Sequence, residues 1–245
     1  SNDGRIDVTA SVDTAPFAAD VLVSKYAGTG GAEGGSDLKD KVKPLVMGRV
    51  RNVEPVLINA DDSVYQFSGY GAIDAVEALF ERGSDFGAAT ANYASYAALV
   101  AADIPAGRWA TCLAEGMVRL GAPAFGVITG DVRGDAVGGY RNKTGAIIAR
   151  VAALAGVSSS LIDTDSLDAL DIAVPYPIGI VLTEQTSVLD LARRLALPCN
   201  AQAGVSWLGK LFVTRIDISD PSMTLDAQGR QMPPVINAAE ADVST

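Results

Sequence analysis

The stretch Lys43 to Phe67, KPLVMGRVRNVEPVLINADDSVYQF, decides how this chain is read, because it holds three short strand patterns separated by one proline and one acidic turn. Val46, Gly48 and Val50 alternate with Met47, Arg49 and Arg51, the period of two that lays an apolar and a charged face along one strand. Pro55 has no amide hydrogen for a ladder, so it divides that strand from the next, Val56 to Ile58. Asn59-Ala60-Asp61-Asp62 then reads as a turn, since Asn and Asp bond their own backbone and tolerate left-handed conformations, and Val64 to Phe67 follows as a third strand. The stretch predicts a compact β meander. It contains no reactive group arranged for chemistry.

Upstream, Ile6, Val8, Ala10 and Val12 alternate with polar residues as a half-exposed strand, and Val21 to Tyr26 reads as a second. The glycine-rich run Gly28 to Gly35 reads as a loop, because no helix opens directly after it to receive a phosphate. Downstream, Ala72 to Arg82 is assigned to a strand, although Ile73, Val76 and Phe80 also fit a helix. Tyr93, Tyr96, Ala97, Val100 and Ala101 have the spacing of a short amphipathic helix. Gly107 to Cys112, Glu115 to Leu120 and Phe125 to Val132 read as three more strands. Three glycines between Gly134 and Gly139 mark a domain boundary, because the apolar period changes there from two to 3.6.

Beyond it, Thr144 is placed as the cap of a helix with the stripe Ile147, Ile148, Val151, Leu154 and Ala155, ended by Gly156. Asp165 to Asp171 makes another short helix, and Ile178 to Leu182 reads as a buried central strand. Ser187 and Asp190 form a capping-box-like pair before a helix that Pro198 stops. Ala201 to Trp207 and Lys210 to Asp217 then make a hairpin. From Pro221 the composition is that of an extended tail.

Composition restricts the chemistry more sharply than the fold. The chain has 245 residues, 49% of them hydrophobic, enough for a sizeable core. It has no histidine, which removes Ser-His and Cys-His nucleophile pairs, histidine-ligated zinc and the usual general base near neutral pH. With 19 basic against 29 acidic residues the net charge is −10, which disfavours nucleic-acid binding by the surface as a whole. The longest apolar runs fall far short of the roughly 20 residues that span a bilayer. The chain opens on Ser1-Asn2 without a basic and apolar signal region, as a processed or excised fragment does. Cys112 and Cys199 lack metal spacing and read as two buried thiols.

Several short motifs have plainer readings beside the functional ones. Gly204 to Leu211 nearly spells the phosphate-binding G-x-x-x-x-G-K-[ST], but Leu211 stands where a hydroxyl is needed and the context is strand, turn, strand. Asp163, Asp165 and Asp168 resemble the start of a calcium loop, yet Asp168 replaces its glycine, and acidic charge at a helix start explains them better. Arg133-Gly134-Asp135 spells an adhesion tripeptide and Asn142-Lys143-Thr144 a glycosylation acceptor, both short enough to arise by chance. The basic cluster Lys39, Lys41, Lys43, Arg49 and Arg51 reads as a solvated strand face before it reads as a surface for nucleic acid. Glu54, Glu77, Glu81, Glu115 and Glu184 are the carboxylates from which a glycosidase pair would be drawn, with no two placed across a cleft by sequence. Trp109, Trp207 or the tyrosines are the residues on which a glycan-binding module would draw.

The segment Tyr26-Ala27-Gly28-Thr29-Gly30-Gly31-Ala32-Glu33-Gly34, followed by Lys43-Pro44, Gly48, Asn52, Pro55 and Tyr65-Gln66, resembles a family of prophage tail structural proteins. Val118 to Pro123, Thr144 to Gly156 and Gly204 to Arg215 continue the likeness over most of the chain, which departs from the pattern at Leu197-Pro198-Cys199-Asn200. The resemblance implies a virion component of the tail tip or baseplate hub, made in the bacterial cytoplasm. It implies β-barrel domains that associate with other tail proteins as a ring, commonly a trimer, and it carries over no catalytic, cofactor or metal residues. The resulting expectation is an α+β chain: a β-rich, barrel-like domain over 1–137, a smaller α/β sandwich over 138–220 and an extended tail over 221–245. Its expected function is non-enzymatic virion assembly through protein-protein contacts, the alternatives being a tail-associated cell-wall glycosidase and a host-glycan-binding module.

Overall fold

A computed structural model describes residues 12–215. The expected strand through Ile6, the last residues of the second hairpin strand and the tail from Pro221 lie outside the described residues. Within them the fold is α+β, with three separate sheets, none closed into a barrel.

The opening stretch yields three strands as expected: β1 (Leu45–Val53), β2 (Val56–Asn59) and β3 (Val64–Gln66). They do not form one meander. β1 leaves the other two at a bulge between Val50 and Val53, where Asn52 takes a positive φ of 53° and its amide donates to Asp131 Oδ1 at 3.0 Å. Such a bulge bends a strand and, with Pro55 behind it, turns the chain out of one sheet and into another.

The ambiguous segment after Ala72 is a strand, β4 (Ile73–Glu81), which folds back on the two-residue β5 (Ser84–Asp85). Then come α1 (Tyr96–Val100), β6 (Trp109–Cys112), β7 (Met117–Leu120) and β8 (Ile128–Asp135). Two helices follow, α2 (Thr144–Leu154) and α3 (Thr164–Ala173), then β9 (Gly179–Leu182) and α4 (Val188–Ala196). The hairpin of β10 (Ala201–Val205) and β11 (Leu211–Arg215) closes the described chain. Among the described residues no helix is long and apolar enough to cross a membrane.

The largest sheet has the order β5-β4-β8-β1-β9, the second β2-β3-β7-β6, and the third is the β10-β11 hairpin. β1 sits between two cores. Leu45 and Met47 enter the one built with Phe17, Leu22 and helices α2 to α4, while Val46 and Val53 enter the one built around Phe67, Leu79, Trp109 and Val132. The first half of β1 is therefore buried on both faces, and its alternation becomes visible only from Arg49 onward. A third cluster joins Tyr26, Leu99, Val64 and Met117 under α1.

Three further expectations are corrected. Val21 to Tyr26 is no strand: Asp20 and Lys25 make isolated bridges to Ser187 and Val42, and Val21 and Leu22 are buried side by side without a ladder partner. β9 is an edge strand, only partly buried, because it pairs with β1 alone. Its close approach to β1 is set by paired glycines: Gly48 has φ +66°, and a Cβ there would lie 2.0 Å from the Ile178 carbonyl oxygen. Finally, Thr144 does not cap α2. Its side chain is buried against Cys199 Sγ at 3.3 Å, and the first-turn amides of Gly145 and Ala146 instead donate to the Asp171 carboxylate of α3, at 2.6 and 2.9 Å.

Candidate functional site

A groove enclosing about 680 Å³ lies where α4 runs beside the β10-β11 hairpin. Ser187 starts α4 as expected, accepting the Asp190 amide at 3.1 Å, and its hydroxyl donates to Asp190 Oδ2 at 2.8 Å. Val188, Leu191, Ala192 and Ala196 face the core, so Arg193 and Arg194 are left on the outer face and in the last turn, where positive charge complements the helix dipole. Arg193 approaches Asp190 at 3.7 Å with both side chains more than half exposed, a pairing of little energetic weight. Arg194 has no ion pair or hydrogen bond among the described residues, and it lines both this groove and a smaller one beside Glu184.

The hairpin supplies the other wall. Cross-strand partners share a face, so Ala203 with Val213 and Val205 with Leu211 turn inward, while Gln202 with Thr214 and Gly204 with Phe212 turn outward. The Phe212 ring lies beside Gly204, 3.4 Å from where a Cβ would stand, an ordinary contact distance. Leu197, Trp207 and Leu208 stand at the ends of the groove and the hairpin tip with exposures of 76%, 80% and 83%. Among the described residues no lining side chain is acidic.

The carboxylates singled out for a hydrolase are dispersed and mostly engaged. Glu54 and Glu184 are exposed, and Glu77 holds Arg49 at 2.8 Å. Glu81 accepts the Gly126 amide at 2.7 Å, bracing the loop that carries the exposed Phe125. Glu115 accepts the Tyr96 amide at 2.9 Å, at the start of α1. Glu115 does share a small pocket with Glu33, a residue that nothing in the sequence singles out as a carboxylate partner. At about 170 Å³ that pocket is below the ~300 Å³ at which ligand sites usually begin. Its chemistry also has the wrong sign for a general acid: a hydrogen bond from the Lys43 ammonium at 2.6 Å holds the Glu33 carboxyl below the usual range, whereas acid catalysis of glycoside cleavage calls for a raised one. Lys43 also lies 5.4 Å from the centre of the Tyr26 ring, and the buried Tyr26 hydroxyl donates to Gln66 Oε1 at 2.7 Å. Burial is the main cause that pushes the Tyr26 phenol upward. These contacts tie the glycine-rich loop to the strands.

The other motifs resolve into structure. Asp135 of the adhesion tripeptide is 3% exposed and takes Arg150 in a two-pronged pair at 3.0 and 3.1 Å, with Arg141 behind it, so it is not presented to a receptor. Arg133 pairs with Asp74 and stacks on Tyr140. Thr144 of the glycosylation tripeptide is fully buried. Gly204 to Leu211 is strand, turn, strand, and Asp163 caps α3 through the Ser166 amide. Among the described residues no three His, Cys, Asp or Glu side chains group as metal ligands. Lys39, Lys41 and Arg51 are exposed, and the two cysteines are buried free thiols, with burial raising the Cys112 thiol. Trp109 is a core residue whose indole donates to the Gly87 carbonyl at 2.8 Å, so of the two tryptophans Trp207 alone is displayed. The groove escapes notice in the sequence because nothing in the α4 segment singles out Arg193 and Arg194. No protein-family model, no curated protein and no solved structure matches this chain.

Proposed function

We propose that the chain is a structural component of a phage or prophage tail, at the tail tip or baseplate hub, acting in virion assembly through contacts with other polypeptides. The observation that carries this role is the groove between α4 and the hairpin, where two arginines and the exposed Leu197 meet an outward sheet face, with Trp207 and Leu208 exposed at the hairpin tip. Exposed apolar side chains gathered with arginine and tryptophan are the composition of protein-protein contact sites. The candidate catalytic carboxylates add support, since Glu77, Glu81 and Glu115 are occupied in holding backbone or a neighbouring arginine. The likeness to tail proteins supplies the setting, a ring of copies, three by that likeness, joined to neighbouring tail proteins in the virion.

Expression of the full chain with the proteins encoded beside it tests the role. Sedimented tail particles are expected to carry it at fixed stoichiometry, with loss on Trp207→Asp together with Leu208→Asp. A chain that stays monomeric at high concentration and never sediments with particles removes the proposal.

A further inference from the structure

The edges of the sheets are not treated alike. The outer edge of β6 is covered by the segment around Asn92, through Thr90 N to Trp109 O at 2.8 Å and Thr111 N to Ala91 O at 3.0 Å. The outer edge of β11 is covered by the segment after Ile162, through Asp163 N to Leu211 O at 2.8 Å and Val213 N to Ser166 Oγ at 3.1 Å. β5 protects its edge by being two residues long and ending on Asp85. The outer edge of β10 has no such guard among the described residues. No described strand pairs with it, its sequence Ala-Gln-Ala-Gly-Val contains neither charge nor proline, and its register with β11 runs unbroken from Ala201 to Val205. That edge faces the groove of about 680 Å³, whose only charged lining residues among those described are Arg193 and Arg194.

We infer that this groove takes an extended segment of another tail protein, alternating apolar and acidic side chains, added as a third strand on β10. The inference rests on the assembly role proposed above and names the chemistry of the partner. Main-chain hydrogen bonds to that edge supply affinity without regard to sequence, and the alternate side chains supply selection. The apolar set packs on Phe212, on the outward face of the hairpin. The acidic set meets Arg193 and Arg194, the latter without any partner among the described residues. In a chain of net charge −10, a groove whose described charged residues are both arginines selects carboxylates and turns away basic segments.

The test uses the full chain and two labelled peptides of alternating sequence, one with valine and aspartate and one with valine and lysine. Fluorescence anisotropy is expected to show binding of the acidic peptide and at least about tenfold weaker binding of the basic one. Slowed amide exchange is expected at residues 201 to 205. Arg193→Glu with Arg194→Glu is expected to invert the preference, and its circular dichroism checks that the chain remains folded. The inference is overturned by three results: no acidic-peptide binding up to about 1 mM, a preference unchanged by the double charge reversal, or displacement of the peptide by single-stranded oligonucleotide at equal affinity. It is also overturned if light scattering shows an oligomer that the double variant dissolves while peptide never binds, since a second copy then fills the groove. A double variant that loses peptide binding but still enters tail particles sinks the groove and leaves the assembly role standing. Peptide capture by a chain that never joins particles does the reverse.

Discussion

At the scale of single residues, the clearest consequence concerns Glu33. Its carboxylate accepts from the Lys43 ammonium at 2.6 Å and from the Ala27 amide at 3.1 Å, and the Lys43 bond is the largest cause that lowers its ionisation range in the folded chain. A carboxyl depressed on folding contributes stability that is present above its unfolded value, near 4.5, and is lost as pH falls through the lower folded value. Glu33→Gln is therefore expected to change stability near neutral pH and to flatten its decline between about pH 5 and pH 3, read as urea midpoints across that range. An acid limb as steep in the variant as in the parent would show that the latch on the glycine-rich loop contributes nothing. Nothing in the local sequence points to this pair. Glu33 lies inside a run of glycines and Lys43 ahead of Pro44, ten residues apart, and only the folded loop brings them together.

At the scale of elements, α2 depends on an acceptor that belongs to another helix. Asp171 satisfies the Gly145 and Ala146 amides, a task usually done by the residue just before a helix. Asp171→Ala is expected to lower stability by about 1–2 kcal/mol, the range of a lost cap. Asp168→Ala, on an exposed position of the same helix, is expected to stay within about 0.5 kcal/mol in the same urea titrations. Equal effects would reduce Asp171 to a surface residue. Asp171 also marks where reading by sequence stops. Features set by near neighbours were legible: the alternation of β4, the break at Pro55, the Ser187 and Asp190 cap, Gly156 closing α2, the hairpin of β10 and β11. Features set by distant partners were not. β1 looked like the first arm of a meander because its true neighbours, β8 and β9, lie far along the chain, and β9 looked central because an apolar run is silent about which of its sides finds a partner. The groove was hidden for the same reason: its arginines are plain on the helix, but the strand edge that comes to lie beside them exists only after folding.

At the scale of the whole molecule, β1 couples the two larger cores, since consecutive residues Leu45, Val46 and Met47 point into one and the other in turn. The strand also carries β8 on one side and β9 on the other. With Trp207→Phe leaving Trp109 as the only indole, emission from the Trp109 core and helix ellipticity from α2 to α4 are expected to report the same unfolding midpoint. Two separated midpoints would mean that the cores unfold as independent units. The same strand has a consequence for how the protein is made. Translation delivers β1 long before β9, because Leu45 pairs with Leu182, and at about 5–20 residues per second the nascent chain waits several seconds with that strand's greasy flanks uncovered. A ribosome-bound chaperone that shields this short stretch until its second neighbour emerges would govern the yield of native protein.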